Sequence, residues 1–499
     1  MKETIFWKKI KKHVKGYIID HKYNSCPKNI LKSDLEYSRD HYNKIISELV
    51  DEINEYKNSM NHQKKINPSI QFSDYKIASY NGDRMGKVLI KSGQIYRGIY
   101  SESCDDFYEL WNTGILQVLG ERGYIPRTEI SEYYTKEYGL ILHHDTVEMS
   151  ASVIWTFSML KDACIHAVLI NTILKSFGFK LHDGHLNNLT FHKGKPVFTD
   201  IGSIVKDRGQ LNYFEKELVF SGCYKMMFLQ MGNSALSRVQ VFDENNNSIW
   251  IFPRQYNDYQ REYRFMLKQY KHNWRLNRLS LSRQIADKIF DGYEVKPEYI
   301  ENLFSNSSFS PILKPIPNLN RDSQCIVDEL RNMEFASVLL FGGTGGQPIK
   351  SLLELPQVTK ATCVEFEYAY AEEAYNYLKN NDLNANLYLY HHLYAADEDT
   401  IKLLQSDVVV ANDIVNQVIT VQKYKLDSLC KAVHKLTKKY ALVTVYPYKI
   451  NNSKYNDDVN IMDSMIEAFQ YFFALKNVIE IGDKNEKESF AVLLVGEKI

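Results

Sequence analysis

Apolar and polar positions follow two different periods along the 499-residue chain. Over residues 1–66 the chain is polar and charged, and Ile45, Ile46, Leu49 and Ile53 fall at the spacing of one helix face, which predicts a helical N-terminal extension. From about residue 69 to 130 the runs shorten. YKIASY, GKVLIKSG and QIYRGIYS read as strands, with Ser92 and Gly93 as a hairpin turn. Residues 105–120 predict a helix and YGLILHHD a further strand. An apolar helix, SMLKDACIHAVLINTILKSFG, leads into FKLHDGHLNNLTFHKGKPVFTDIGSI, a strand, a polar loop and a strand pair. YFEKELVFSGCYKMMFLQMG reads as another helix, and QREYRFMLKQYKHNWRLNRLSLSRQIADKIF as one or two basic helices. Residues 305–323, SNSSFSPILKPIPNLNRDS, are rich in Ser, Asn and Pro and predict a linker at the main domain boundary.

Past the boundary, VLLFGGTGGQPIKSLLELPQVTKATCVEFE places a strand, a glycine turn, a helix and a second strand in order. Residues 338–341 form an apolar run suited to a strand buried on both faces. Gly342, Gly343, Gly345 and Gly346, with Thr344 among them, then let the backbone turn tightly and approach a ligand. Pro348 fits a first helical position. The second strand, residues 361–364, delivers Glu365 about twenty residues after the glycines, where an acid can accept both hydroxyls of a ribose. NLYLYHHL, SDVVVAND and KYALVTVYPY read as three more strands with helices between them, and NVIEIG with SFAVLLVGEKI as a closing pair. Strands alternating with helices predict an α/β domain with a parallel sheet, and the closing hairpin adds one reversed strand.

Composition narrows the classes. Hydrophobic residues make up 44% of the chain, enough for the cores of two or three domains. The 61 basic and 61 acidic residues balance, so no global field argues for nucleic acid or an anionic membrane. Locally, Arg261, Arg264, Lys268, Lys271, Arg275, Arg278 and Arg283 interleave with Tyr263, Tyr270 and Trp274 and could grip phosphates, although a solvated face flanking a core stripe accounts for them better. The seven cysteines form no CxxC pair, which fits a reducing cytoplasm. The basic start lacks the apolar run of a signal peptide, and no run of about eighteen uncharged apolar residues predicts a membrane span.

Candidate chemistry concentrates in two places. In the loop LHDGHLNNLTF and the strand pair after it, Asp183, Asn188 and Asp200 stand at the spacing of a phosphotransfer site: one acid to orient an attacking hydroxyl, an Asn and a second Asp to hold magnesium. The layout resembles a kinase catalytic loop followed by DFG, here DIG. The preceding strand order resembles the small lobe of protein kinases and aminoglycoside phosphotransferases. Arg97 occupies the place of the phosphate-binding lysine, Glu109 is its candidate ion-pair partner, and residues 81–86 (NGDRMG) are the candidate phosphate loop with only two glycines. ATP and magnesium are expected only if this part is active.

The same segment is similar to one that precedes the methyltransferase domain in bacterial S-adenosylmethionine-dependent methyltransferases related to host-specificity nodulation proteins. Ser158 to Ala163, Leu181, Asp183, Asn188, Phe191, Pro196, Val197, Phe198, Asp200 and Ser203 match, whereas Gly184 and His185 depart from the pattern. The resemblance implies a kinase-like, bilobal α+β domain over residues 67–304 and a Rossmann-like class I methyltransferase domain over residues 324–499. It further implies that Gly342, Gly343, Thr344, Gly345 and Gly346 line S-adenosylmethionine, that Glu365 holds its ribose, that Phe366 lies near the adenine, and that Asp413 faces the methyl group. The glycine segment is also similar to aminopropyltransferases of the spermidine synthase type. Leu340 stands where the glycine motif is often acidic, and ANDIVNQ is not the NPPY-like motif of amino-group methylation. Asp413, His391 or His392 could act as a base for a poor nucleophile. The resemblance implies a methyltransferase whose acceptor is a glycan or glycan-derived small molecule. A bifunctional kinase and methyltransferase, and a noncatalytic binding protein built from two degenerate folds, are the competing expectations.

Overall fold

The computed structural model describes residues 30–59, 69–78, 85–209, 213–230, 280–304, 319–342, 346–365, 368–389, 398–412, 414–416, 425–446, 461–482 and 490–499. The basic stretch up to residue 279, Gly343, Thr344, Gly345, Phe366, His391, His392 and Asp413 therefore lie outside the described residues, as do all but the last two residues of the NGDRMG loop.

The N-terminal half opens with helix α1 (Lys32–Ser59), whose Leu35, Tyr42, Leu49 and Ile53 are buried. Strands β1 (Ile70–Gln71), β2 (Lys76–Ile77), β3 (Gly86–Lys91) and β4 (Gln94–Ile99) follow, then helices α2 (Cys104–Trp111) and α3 (Ile115–Glu121), then β5 (Thr128–Ile130), β6 (Tyr133–Tyr134) and β7 (Leu140–His144). Five of these strands form an antiparallel sheet in the order β2-β3-β4-β7-β5. The helix predicted across residues 105–120 is in fact two. Gly114 takes φ +82°, a left-handed conformation that ends one helix and starts the next, and a Cβ there would lie 2.8 Å from the Tyr56 ring.

Helix α4 (Phe157–Lys175) is long and apolar enough to cross a membrane, but 89% of its apolar window is buried inside the protein, as befits a core helix. Its N-cap Thr156 accepts a hydrogen bond from Met159 N. Beyond it β8 (Phe179–Leu181) pairs with β11 (Ile204–Lys206), enclosing the hairpin of β9 (Leu189–His192) and β10 (Lys195–Phe198). Helices α5 (Tyr213–Leu218), α6 (Tyr224–Gln230), α7 (Ser280–Phe290) and α8 (Pro297–Leu303) complete this half, with a π-helical turn, Val219–Cys223, joining α5 to α6.

Helix α9 (Leu319–Leu330) opens inside the stretch read as linker. Seven strands then form one sheet: β12 (Ser337–Phe341), β13 (Lys360–Glu365), β14 (Asn386–Leu389), β15 (Ser406–Ala411), β16 (Thr437–Val445), β17 (Phe473–Ile481) and β18 (Ala491–Lys498). Their order is β14-β13-β12-β15-β16-β18-β17, and β18 alone runs against its neighbours. The expected reversed strand is thus inserted between β16 and β17. Helices α10 (Gln347–Leu353), α11 (Tyr368–Asn380), α12 (Glu398–Leu404), α13 (Ile414–Asn416), α14 (Leu426–Leu436) and α15 (Ile461–Gln470) flank it. Successive residues of the central strands face opposite cores: Leu340, Cys363 and Val410 join one, Phe341, Val364 and Ala411 the other.

The first of these cores continues into the N-terminal half, from Leu35 and Ile53 through α4 to Leu340 and Leu493. The SMLKDA run of α4 lies at the junction. Ser158 Oγ donates to Glu372 on α11, and one turn later Asp162 accepts from Tyr375 OH at 2.8 Å and Lys379 Nζ at 2.7 Å. Glu148 binds Lys360 and accepts from Asn386 Nδ2 at 2.7 Å, so edge strand β14 is covered by the N-terminal half.

Candidate functional site

The parallel strands β13, β12 and β15 end at the same level. Phe341 pairs with Val364 on one side and Ala411 on the other, so Glu365, Gly342 and Asn412 stand in a row across the carboxyl edge of the sheet. By strand spacing the outer two lie about 10 Å apart. Gly342 has φ +103°, and a Cβ there would come within 2.8 Å of Ile414, so only glycine satisfies both the turn and its packing. Gly346, at φ +77°, caps α10, and Pro348 is the second residue of the helix, one place later than the sequence predicted. Glu365 is 1% exposed at the end of β13. Burial, and after it the Glu365 carboxylate, push the Cys363 thiol up, which agrees with both side chains projecting on the same face.

Asn412 is fully buried, and among the described residues neither its Oδ1 nor its Nδ2 has a hydrogen-bond partner. A buried, unsatisfied amide at the carboxyl edge of a parallel sheet marks a place where a polar ligand completes the bonding. The resemblance implies a role here for its neighbour Asp413, which lies outside the described residues. The usable signal was that Asn412 is the first polar residue after the run VVVA, and so holds the end of the strand.

The second cluster joins Arg97 to Asp200, and hydrogen bonds tie the segments of Asp183 and Asn188 to the same turn. Arg97, 3% exposed on β4, donates from Nη2 to Asp200 Oδ1 at 2.9 Å. That oxygen also accepts Gly202 N at 3.1 Å. The loop after β8 is stitched to the turn before β11: Asp183 N donates to Ser203 Oγ at 2.9 Å, His182 N to Ser203 O at 2.8 Å, and Thr199 N to Asn188 O at 2.7 Å. Glu109 pairs with Lys206, not with Arg97 as expected, because Asp200 meets the guanidinium. On β7, His144 is buried beside these groups. Burial first, then the Arg97 charge, push its imidazole down to about 3, so it is neutral, with Thr128 Oγ1 2.9 Å from Nδ1.

No family model matches the chain, and no curated protein does. Solved structures similar to it include the N-methyltransferase NodS from Bradyrhizobium japonicum WM9, at 9% identity over 36% of this chain and 97% of that one, with a TM-score of 0.28. The same protein in complex with S-adenosyl-L-homocysteine gives 11% identity over 38% and 92%, with a TM-score of 0.29. The methyltransferase domain of bacterial CtHen1 gives 16% identity over 36% and 99%, with a TM-score of 0.29. These structures correspond to about a third of the chain.

Proposed function

We propose that the chain is an S-adenosylmethionine-dependent methyltransferase whose N-terminal, kinase-like half holds the methyl acceptor. The observation that carries this reading is the seven-stranded sheet with β18 reversed between β16 and β17, and Glu365, Gly342 and Asn412 lined up where its central strands end. A plain dinucleotide-binding sheet has no such reversed strand. The donor set fits the cofactor: a buried acid for ribose hydroxyls, a glycine turn for close approach, and a buried amide lacking partners among the described residues. When bound, S-adenosylmethionine supplies a methyl group activated on a sulfonium. Glu365 would hold the ribose, Gly342 and Gly346 would shape the turn beside it, and Asn412 would orient polar groups next to the reacting centre. Positioning and water exclusion carry most of the rate for such a transfer. The acceptor is a glycan or glycan-derived small molecule on this reading, supported by the resemblance of residues 158–203 to the segment ahead of nodulation-type methyltransferase domains.

The kinase-like assignment of the N-terminal half rests on the β2-β3-β4-β7-β5 order with helices between β4 and β5, and on the hydrogen bonds that tie the loop of Asp183 and Asn188 to the turn that Asp200 opens. We read it as a scaffold that does not transfer phosphate, since the Arg97 guanidinium engages the carboxylate that would bind magnesium. Calorimetric titration with S-adenosylhomocysteine tests the main proposal: wild type binds, and Glu365→Ala weakens binding at least about tenfold through loss of a charge-assisted contact. No binding by wild type, or equal affinity in the variant, would sink it. Magnesium-dependent ATP turnover that disappears in Asp183→Ala would instead establish the bifunctional reading.

A further inference from the structure

The two residues that depart from the nodulation-type pattern, Gly184 and His185, make a local structure of their own. A Cβ on Gly184 would lie 2.3 Å from Phe214 O and 3.0 Å from Leu218 N, so only glycine allows the loop after β8 to lie against the backbone of α5. That approach carries Glu217 of α5 to His185, with Oε2 2.8 Å from Nε2. The loop is held independently of this pair. Asp183 Oδ1 accepts His185 N at 2.9 Å, Leu186 N donates to Ser221 Oγ at 3.2 Å, and Asp183 N to Ser203 Oγ at 2.9 Å. The ligand-capable atoms of Asp183, His185 and Glu217 consequently lie within 4.8 Å of one another, each side chain part-buried.

We propose that Asp183, His185 and Glu217 bind a divalent first-row transition-metal ion. Two carboxylates and one imidazole form a mixed oxygen and nitrogen set, which suits manganese, iron or zinc, whereas magnesium and calcium prefer oxygen alone. Three protein donors leave coordination positions for water or a substrate oxygen. The site is distinct from an Asn188 and Asp200 magnesium pair, because Asp200 is bound by Arg97 and is not among the three ligands. The proposal does not depend on the methyltransferase reading.

The test uses the full-length protein, stripped with a chelator and titrated with manganese, free ion being followed by electron paramagnetic resonance. Wild type should take up one equivalent, with nitrogen modulation from His185 in pulsed spectra. His185→Gln, which can still hydrogen-bond Glu217, should lose that modulation and bind at least about tenfold more weakly, as should Glu217→Gln. Asp200→Asn should stay within about twofold of wild type. Thermal unfolding of the metal-free variants checks that each is folded; should Glu217→Gln fail, Glu217→Asp, which shortens the reach of the carboxylate, replaces it with the same expected loss. No uptake by wild type, or uptake unchanged in both His185→Gln and the Glu217 variant, overturns the proposal; it would leave His185 and Glu217 as an ion pair that only packs the loop on α5.

Discussion

Asn412 and Arg97 show how differently two buried polar side chains can be used. Asn412 has two amide atoms without partners among the described residues, so in the ligand-free protein it costs stability. Asn412→Leu, of similar volume, should therefore raise the thermal stability of the ligand-free protein by about 1 kcal/mol while weakening S-adenosylhomocysteine binding. Parallel thermal melts and calorimetric titrations measure both, and a variant that loses stability while binding normally would refute the assignment. Arg97 is paired, and Asp200 is its partner at 2.9 Å. Arg97→Met removes a charge-assisted hydrogen bond to that carboxylate and should cost about 1–3 kcal/mol in chemical denaturation. The double variant with Asp200→Asn should cost less than the sum of the single changes, since both remove the same interaction; strict additivity would show the two groups do not interact. The place of Glu365 at the end of β13 was legible in the sequence because it ends an apolar run. Asn412 was not, because the assignment of a strand end cannot be read to one residue when two polar residues follow each other.

Among the elements, α4 and β7 carry buried imidazoles that make stability depend on pH. Burial pushes His166 down to about 4 and His144 to about 3, with His166 Nε2 2.9 Å from Tyr124 O. The unfolded chain takes up protons below about 6.5 while the folded chain does not, so stability falls as pH drops from there towards 4. Each residue contributes about 1.4 kcal/mol per pH unit over that window. Thermal melts between pH 7.5 and 4.5 should show this slope, and His166→Gln, which keeps a donor to Tyr124 O, should reduce it; an unchanged slope would remove His166 from the account. The hydrophobic period placed both elements correctly. It failed between α2 and α3, where apolar spacing runs through residues 105–120 but Gly114 adopts a left-handed conformation packed on Tyr56 of α1, a helix more than fifty residues earlier in the chain.

For the whole molecule, the polar contacts of Ser158, Asp162 and Glu148 with α11, β13 and β14 join halves that the sequence had separated by a linker. The shared core predicts that they unfold together. Calorimetry should give one transition, and Asp162→Ala, which removes the acceptor of Tyr375 and Lys379, should lower it by about 1–3 kcal/mol without splitting it. A fragment of residues 319–499 should aggregate, because β14 becomes an uncovered edge and the core side chains facing α4 meet water. A soluble, cooperatively melting monomer would show the junction to be dispensable.

Local sequence was enough for the parallel sheet, its reversed closing strand, the left-handed Gly342 and Gly346, and the place of Glu365 at a strand end. These follow from local periodicity and from spacing along the chain, which neighbouring residues set. Tertiary contacts alone make Arg97 meet Asp200 and not Glu109, leave Asn412 without partners among the described residues, bring Glu217 to His185 across Gly184, and join the two halves into one core through α4. Each of these depends on which distant backbones touch, and contact between segments far apart in the chain leaves no period for a sequence to display.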